Sequence, residues 1–117
     1  MPADTTCLFC RIAKGEVASK KIYEDDELFA FHDIAPKAPV HFLLVPKRHI
    51  DDLMELEPED AGLVGRLMFK AQELARSLGC AENGARFVIN CKADGGQTVN
   101  HLHMHVLGGR AMTWPPG

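Results

Sequence analysis

The sequence contains no apolar run that approaches the roughly 20 residues a transmembrane helix requires. Its start, Met1-Pro2-Ala3-Asp4, is polar and acidic, and it lacks the charged, apolar and cleavage regions of a secretory signal peptide. These two absences predict a protein that neither spans nor crosses a membrane. The expected location is therefore the cytoplasm.

The sequence also lacks an excess of positive charge. Thirteen Lys and Arg residues stand against sixteen Asp and Glu residues, which gives a formal net charge of −3, and there is no extended Lys/Arg run. Proteins that bind nucleic acid through counterion release usually present a basic surface. Nucleic acid is therefore not an expected partner.

The length of 117 residues leaves no room for a second hydrophobic core. Hydrophobic residues make up 46% of the chain and charged residues 25%, which are ordinary values for a folded globular protein. We expect one domain over residues 1–117, with an N-terminal segment at 1–15 and a C-terminal tail at 108–117.

Cysteine is limited to four residues, which are Cys7, Cys10, Cys80 and Cys91. Without a secretion signal, they argue against a disulfide framework and favour a metal site or buried thiols. Cys7 and Cys10 form a C-x-x-C pair, which is typical of one half of a zinc site but needs further ligands. Cys80 and Cys91 are expected to be buried thiols.

The pattern of apolar residues predicts an α+β domain. Steps of three and four residues predict one long helix over 58–78, and a short helix is predicted over 7–14. Strands are predicted from alternation and short apolar runs at 20–24, 28–31, 41–45, 85–91 and 99–107. Short turns between strands favour a mostly antiparallel sheet of about five strands.

Three of the six histidines alternate with apolar residues in His101-Leu102-His103-Met104-His105. Alternate side chains of a strand share a face, so all three imidazoles are expected to point the same way. His101 and His105 would start about 13 Å apart, too far for all three rings to bind one zinc ion with ease. The spacing favours separate roles, because a neutral imidazole can attack phosphorus or transfer a proton near neutral pH.

A glycine-rich loop, Gly95-Gly96-Gln97-Thr98, lies just before the histidines. Such a loop can offer backbone N–H groups, a hydroxyl and a side-chain amide to phosphate oxygens. Most Gly-Gly pairs are only turns, and the position beside the histidines gives this one its interest. With few cations nearby, the loop suits a single α-phosphate better than a triphosphate with magnesium.

The segment from His101 to Leu107 resembles the signature of the histidine triad (HIT) family. The resemblance covers nearly the whole chain and includes further segments at 23–26, 31–34, 41–49, 95–98, 107–110 and 114–117. Because the last triad position is His105 and not Gln, the chain resembles the Hint branch, whereas the Fhit and galactose-1-phosphate uridylyltransferase branches carry Gln there. The resemblance implies a HIT-like fold with one long and one short helix. It also implies a homodimer whose two sheets join into one.

The resemblance further implies hydrolysis of the P–N bond in purine nucleoside 5′-phosphoramidates such as adenosine phosphoramidate or AMP-lysine. His103 would attack the α-phosphorus to form a covalent nucleotidyl-histidine, which water would cleave, with no metal in the chemical step. His105 would contact phosphate oxygens, and Thr98 would bind the phosphate and the leaving group. His41 would lie beside the nucleophile and support its protonation state.

A site for an AMP- or GMP-like nucleotide is implied in each protomer. Its residues would be Phe31, Asp33, Ile34, Asn90, Gly96, Gln97, Thr98, His103 and His105. Asp33 would hold the ribose hydroxyls, and Phe31 and Ile34 would pack against the base. Taken alone, Asp33 is better explained as a turn or cap residue, and Trp114 as an ordinary aromatic. The resemblance instead places Trp114 in a tail that reaches the partner protomer.

The metal ligands remain an open question from the residues alone, since C-x-x-C is half a site. The resemblance implies a structural zinc ion held by Cys7, Cys10, His49 and His101, away from the reaction centre. Three other functions are compatible with the sequence. They are hydrolysis of dinucleoside polyphosphates, nucleotide binding or scaffolding without catalysis, and a metal-binding module that uses both the triad and the C-x-x-C pair.

Overall fold

The computed structural model describes residues 6–117. The polar start at residues 1–4, on which the prediction of no signal peptide rests, lies outside the described residues, as does the beginning of the 1–15 segment. Within residues 6–117, no helix is long and apolar enough to cross a bilayer.

Residues 6–117 form five strands and three α-helices. In chain order they are α1 (Leu8–Ala13), β1 (Lys21–Glu24), β2 (Leu28–His32), β3 (Val40–Pro46), α2 (Ala61–Ser77), β4 (Ala85–Val88), α3 (Lys92–Gly95) and β5 (Met104–Gly108). Short 3₁₀ helices at Leu53–Glu55 and Pro58–Asp60 precede α2. The strands make one sheet in the order β1-β2-β3-β5-β4, and every neighbouring pair is antiparallel. The predicted α+β class with a five-stranded antiparallel sheet is confirmed.

Both faces of the sheet are covered, which explains why β2 reads as a continuous apolar run. Leu28 and Ala30 face the core that α2 closes, whereas Phe29 and Phe31 face a second, smaller core around α1. Successive side chains of a strand point to opposite faces, so the two cores alternate along β2. The fold is therefore three layers deep, with α1 and α2 on opposite sides.

The long helix follows from its sequence. Pro58 opens the preceding 3₁₀ turn, where Glu57 and Asp60 form a capping box. Leu63, Leu67 and Leu74 are buried against the sheet, and burial of each side chain is worth roughly 2 kcal/mol. Gly79, with a φ of +93°, follows the last turn and lets the chain leave the helix without strain.

The structure differs from the prediction at the histidine segment. β5 begins only at Met104, so His101 and His103 precede the strand, and the prediction of a strand from residue 99 is wrong in its first half. The reason lies in the backbone hydrogen bonds. The His101 N–H donates to the Val99 carbonyl and the Leu102 N–H to the Ile50 carbonyl, and neither pairs with a strand.

Two smaller differences occur before this segment. β4 ends at Val88, three residues before the predicted end of the strand. The region around Gly95 forms the short helix α3, where the prediction was an irregular loop. Lys92 begins α3 with a φ of +58°, and Gly96 ends it in the left-handed conformation with a φ of +78°.

Candidate active site and metal centre

Five of the six histidines fall into two clusters at the approach to β5. The cysteine–histidine cluster contains Cys7, Cys10, His49 and His101, all of them buried. The aspartate–histidine cluster contains Asp33, His41, His103 and His105. The turn before β5 separates the three triad histidines, because His101 belongs to the first cluster and the other two belong to the second.

The first cluster depends on the start of α1. Cys7 is the N-cap residue of this helix, and its Sγ accepts the Cys10 N–H at 3.4 Å, which turns both thiols to the same side. The Cys7 Sγ lies 3.3 Å from His101 Nδ1. The Cys10 Sγ lies 3.3 Å from His49 Nδ1 and 3.5 Å from His101 Nδ1. The residues predicted from the resemblance as metal ligands are thus brought together.

The outer nitrogen of each histidine in this cluster has a hydrogen-bond acceptor. His49 Nε2 donates to Asp51 Oδ1 at 2.7 Å, and His101 Nε2 donates to the Pro46 carbonyl at 2.7 Å. Because both partners only accept, each ring carries its hydrogen on Nε2 and turns the lone pair of Nδ1 towards the thiols. Metal-binding histidines usually have such a partner. Burial lowers the pKa of His101 to about 4, which keeps its ring neutral.

The donor set fits a tetrahedral metal ion. Bonds of about 2.3 Å to sulfur and 2.0–2.1 Å to nitrogen give sulfur–nitrogen edges of roughly 3.5 Å in a tetrahedron. The three sulfur–nitrogen contacts are 3.3, 3.3 and 3.5 Å, and all four ligand atoms lie within 4.8 Å of one another. The cysteine–histidine cluster could therefore hold a metal ion.

The second cluster lies on the same face of the sheet, where His41 of β3 and His105 of β5 meet. His41 Nε2 is 2.9 Å from His105 Nδ1. The Oδ2 atom of Asp33 is 3.4 Å from His41 Nε2 and 4.0 Å from His105 Nδ1. His105 is only partly buried, so this cluster opens to the surface at its ring.

Hydrogen-bond polarity assigns the protons in this cluster. The Lys37 backbone N–H donates to His41 Nδ1 at 3.0 Å, so the neutral His41 ring carries its hydrogen on Nε2. That hydrogen is donated to His105 Nδ1, which leaves the hydrogen of His105 on Nε2. Burial lowers the pKa of His41, and burial with the neighbouring His103 and His41 rings lowers the pKa of His105 to about 4. Both rings are therefore neutral at neutral pH.

His103 has the opposite arrangement of its hydrogen. Its Nδ1 lies 2.6 Å from the His101 carbonyl oxygen and must donate to it, which leaves a lone pair on Nε2. Burial lowers the pKa of His103, so the lone pair is not protonated near neutral pH. Its ring centroid is 5.1 Å from that of His105. A nucleophilic nitrogen and an N–H donor therefore lie side by side.

The ligand atoms of Asp33, His41 and His105 are close enough together to hold a metal ion. The direction of the hydrogen bonds nevertheless disfavours a metal ion in this second cluster. His41 would have to bind the ion through Nε2 and carry its hydrogen on Nδ1. That hydrogen would then face the Lys37 N–H, which is itself a donor. The cluster is built for proton placement rather than for metal binding.

The predicted base-binding and ribose-binding residues lie at the end of β2. Phe31 is buried, and Ile34 is fully exposed. Asp33 accepts the Ala35 N–H through Oδ1 at 2.7 Å, which is a turn contact, while its Oδ2 faces the histidines. The turn interpretation of Asp33 is therefore correct without excluding a second role for its other oxygen.

The glycine-rich loop differs from its expectation as a source of phosphate donors. The N–H groups of Gly96 and Gln97 donate to the carbonyls of Ala93 and Lys92. The Gln97 side-chain amide donates to the Asp51 and Val99 carbonyls and accepts the Lys92 N–H. These groups fix the shape of the loop. Thr98 is exposed, and Asn90 is half-buried.

Sequence reasoning missed three contributors to the site. Asp51 and the Lys37 backbone orient histidines, and Phe9 packs edge-on against His103 with centroids 4.9 Å apart. Only Phe9 carried a sequence signal, because it stands inside the C-x-x-C pair. Of the cysteines outside the metal ligands, Cys80 is buried as predicted, whereas Cys91 is half-buried with its Sγ 3.9 Å from Asp52 Oδ1.

Comparison with known proteins identifies the family of the chain. The family model of the HIT domain matches residues 14–112. A HIT-like protein of Synechocystis sp., described as uncharacterized, is 48% identical over 117 residues, which is the full length of both chains.

Two solved structures are closely similar. A HIT family hydrolase from Legionella pneumophila has a TM-score of 0.94 at 46% identity, covering 96% of this chain and 100% of that one. A histidine triad protein from Clostridium difficile has a TM-score of 0.93 at 40% identity, covering 96% and 97%. The chain belongs to the HIT domain family, and its fold is similar to that of HIT family hydrolases.

Proposed function

We propose that this protein is a purine nucleoside phosphoramidase of the Hint branch, which cleaves the P–N bond of substrates such as adenosine phosphoramidate or AMP-lysine. The observation that carries the proposal is the orientation of His103, whose Nδ1 hydrogen is held by the His101 carbonyl so that Nε2 is the nucleophilic atom. Proteins of the HIT family bind nucleotides. A neutral nucleophile suits an anionic phosphate because it adds no negative charge.

The proposed reaction has two steps, formation of a nucleotidyl-histidine and its hydrolysis. In the first, His103 Nε2 bonds to the α-phosphorus, the P–N bond breaks, and the leaving nitrogen takes up a proton from solvent as it departs as the amine. The nucleotidyl-histidine ring is then cationic, and the His101 carbonyl stabilises its Nδ1 hydrogen. In the second, water attacks phosphorus and returns one proton to solvent, the phosphorus–His103 bond breaks, and a nucleoside monophosphate leaves as neutral His103 is restored.

The remaining residues support these steps. His105 presents Nε2–H to the phosphate oxygens, and His41 keeps that hydrogen in place through His105 Nδ1. Thr98 supplies a hydroxyl to the phosphate and the leaving group. Gly96 and Gln97 hold the loop that carries Thr98.

The nucleotide contacts follow from the end of β2. Asp33 binds the ribose hydroxyls through Oδ2, and Asn90 completes the ribose and phosphate contacts. Ile34 and Phe31 pack against the purine. The full exposure of Ile34 supports this role, because a fully exposed isoleucine beside a candidate site is well placed to cover a flat apolar ring.

Two structural features accompany the function in this proposal. Zinc occupies the cysteine–histidine cluster and stabilises the fold around α1, since two thiolates and two imidazoles suit zinc. A homodimer forms through β4, one of the two edge strands of the sheet, on which Phe87 is 42% exposed. The Arg86 side chain holds the Thr113 carbonyl, which keeps the tail with the exposed Trp114 beside that edge.

The test is replacement of the proposed nucleophile. His103→Ala should lower AMP-lysine turnover by at least roughly 10³-fold while AMP still binds, because the covalent step loses its only nucleophile. The parent should give a nucleotidyl-protein adduct by mass spectrometry under acid-free quenching. His32→Ala, which changes an exposed histidine at the end of β2, is the matched control.

The same assay separates the alternatives. A variant that keeps turnover within tenfold of the parent would show that His103 is not the nucleophile. Faster cleavage of diadenosine polyphosphate than of AMP-lysine would favour the polyphosphate hydrolase, and His105 in place of Gln argues against that outcome. AMP binding without turnover in the parent would favour a binding or scaffold role.

A further inference from the structure

Phe9 packs between the cysteine–histidine cluster and His103, the proposed nucleophile. It lies on α1 between the two cysteines and is buried. Its ring meets His103 edge-on, with centroids 4.9 Å apart and planes at 89°. It also meets His101 at 6.0 Å and Phe31 at 5.5 Å. No other aromatic ring contact of the described residues reaches from α1 to the aspartate–histidine cluster.

Two restraints on the His103 ring therefore come from the cysteine–histidine cluster and from α1 beside it. One is the hydrogen bond from Nδ1 to the His101 carbonyl, and His101 is itself anchored through Nε2 to the Pro46 carbonyl. The other is the edge-on packing of Phe9. A hydrogen bond to one carbonyl fixes where Nδ1 points, but a neighbouring ring at right angles resists rotation of the imidazole about its last bond.

The orientation of this ring decides whether Nε2 reaches phosphorus. A half-turn about the last side-chain bond exchanges Nδ1 with Cδ2 and Nε2 with Cε1, so the Nδ1 hydrogen would leave the His101 carbonyl and the lone pair of Nε2 would be displaced and turned away from the substrate. Misplacement of a reacting atom by about 1 Å can cost roughly 100-fold in rate. The packing around His103 therefore matters more to the rate of attack than to nucleotide affinity.

We propose that Phe9 is a positioning residue that holds His103 with Nε2 directed at the substrate, so the C-x-x-C segment serves the reaction as well as the fold. This inference rests on the proposed function. It makes no use of the metal ion in the chemical step. The Phe9 side chain, between the candidate metal ligands Cys7 and Cys10, sets the conformation of the His103 ring.

The experiment compares two phenylalanine-to-leucine substitutions in the same core. Phe9→Leu removes the ring that touches His103. Phe29→Leu removes a ring of the same size that is buried in the same core, whose ring contact is with Phe31 at 6.0 Å. The two variants lose comparable apolar volume, so the pair separates loss of packing from loss of the His103 contact.

Three quantities are measured on the metal-loaded proteins. They are the metal content, the single-turnover rate of nucleotidyl-enzyme formation from AMP-lysine, and the ¹⁵N chemical shifts of the His103 ring at fixed neutral pH. We expect Phe9→Leu to keep the metal content of the parent and to have a KM within about threefold of the parent's. The variant should form the adduct roughly 10- to 100-fold more slowly than the parent. Its His103 shifts should change from one tautomer to a mixture. Phe29→Leu should retain the parent's rate and shifts.

Specific outcomes overturn the inference. Adduct formation by Phe9→Leu at the parent's rate does so, and so does equal slowing in the Phe29→Leu variant. If Phe9→Leu fails to fold, Phe9→Met fills more of the ring's volume and is measured in the same way. If the parent forms no adduct at all, the proposed function fails, and the ¹⁵N shifts still decide whether Phe9 holds the His103 ring.

Discussion

The two histidine clusters are built from the same side chain and differ in the partner of the far ring nitrogen. In the cysteine–histidine cluster, His49 and His101 donate outward to Asp51 and to the Pro46 carbonyl, so their lone pairs face inward. In the aspartate–histidine cluster, His41 accepts the Lys37 N–H, so a hydrogen faces inward instead. An outer acceptor leaves a lone pair facing inward, which a metal ion could use in the first cluster and which His103 keeps on Nε2, whereas an outer donor leaves an N–H facing inward.

The largest expected effect comes from dismantling the first cluster. Cys10→Ser, or chelation of the parent, should lower the free energy of unfolding by roughly 3–5 kcal/mol, because metal binding is coupled to folding. Thermal unfolding combined with elemental analysis measures the effect. Cys91→Ser, at a half-buried thiol outside the cluster, should stay within about 1 kcal/mol of the parent.

The metal prediction has a clear contrary result. The protein, purified without added metal, could contain less than about 0.2 equivalents of zinc per chain, and a chelator could leave its thermal unfolding midpoint unchanged. Together these results would show that the cluster is only a set of thiol–imidazole hydrogen bonds.

An intermediate effect is expected from changing the proton donor in the second cluster. His41→Leu removes the hydrogen that His105 Nδ1 accepts and should slow AMP-lysine turnover by roughly 100-fold, within the range for general acid–base groups. His41→Gln retains an N–H donor at a similar reach and should recover most of that loss. Metal content should be unchanged in both. Equal turnover in the two variants would contradict the proton placement derived from Lys37.

The smallest effect concerns the dependence of stability on pH. The pKa of His105 is lowered by burial to about 4, so the unfolded chain binds a proton between about pH 6.5 and 4 that the folded chain does not. Stability contributed by neutral His105 is therefore lost as pH falls through this window.

His105→Gln removes this titrating group. Between pH 7 and pH 5, the free energy of unfolding of the variant should therefore fall by about 1 kcal/mol less than that of the parent. Urea unfolding at the two pH values measures it, and the difference between variant and parent cancels the acid sensitivity of the first cluster. Parallel pH dependences in the two proteins would show that His105 is not held neutral by the fold.

Much of the fold could be predicted from the sequence, because the period of apolar residues reports burial directly. Leu63, Leu67 and Leu74 indicated α2, and the alternation before the turn at Asp25 and the apolar run after it indicated the first two strands. The prediction of a strand over His101 to His105 was wrong in its first half, because the alternation of histidines and apolar residues begins before the point where strand pairing starts. The carbonyls of Val99 and Ile50 capture the amides that a strand would have used.

The candidate site was predictable where side chains act and unpredictable where the backbone acts. The resemblance brought together Cys7, Cys10, His49 and His101, as the structure does. It could not indicate the Lys37 N–H, because every residue except proline has one and only the folded turn directs it at His41. The contacts of the Gln97 amide could not be predicted for a related reason, since its partners at Asp51 and Val99 are main-chain carbonyls.

The acceptor for the Nδ1 hydrogen of His103 is a main-chain oxygen, and this has an evolutionary consequence. Any amino acid at position 101 supplies that oxygen, whereas only a ligating side chain there can serve a metal ion. Descendants of this chain can therefore lose the candidate metal ligands through substitutions at positions 7, 10, 49 and 101 and still inherit the contact that orients the ring at position 103, provided that an apolar side chain continues to support it.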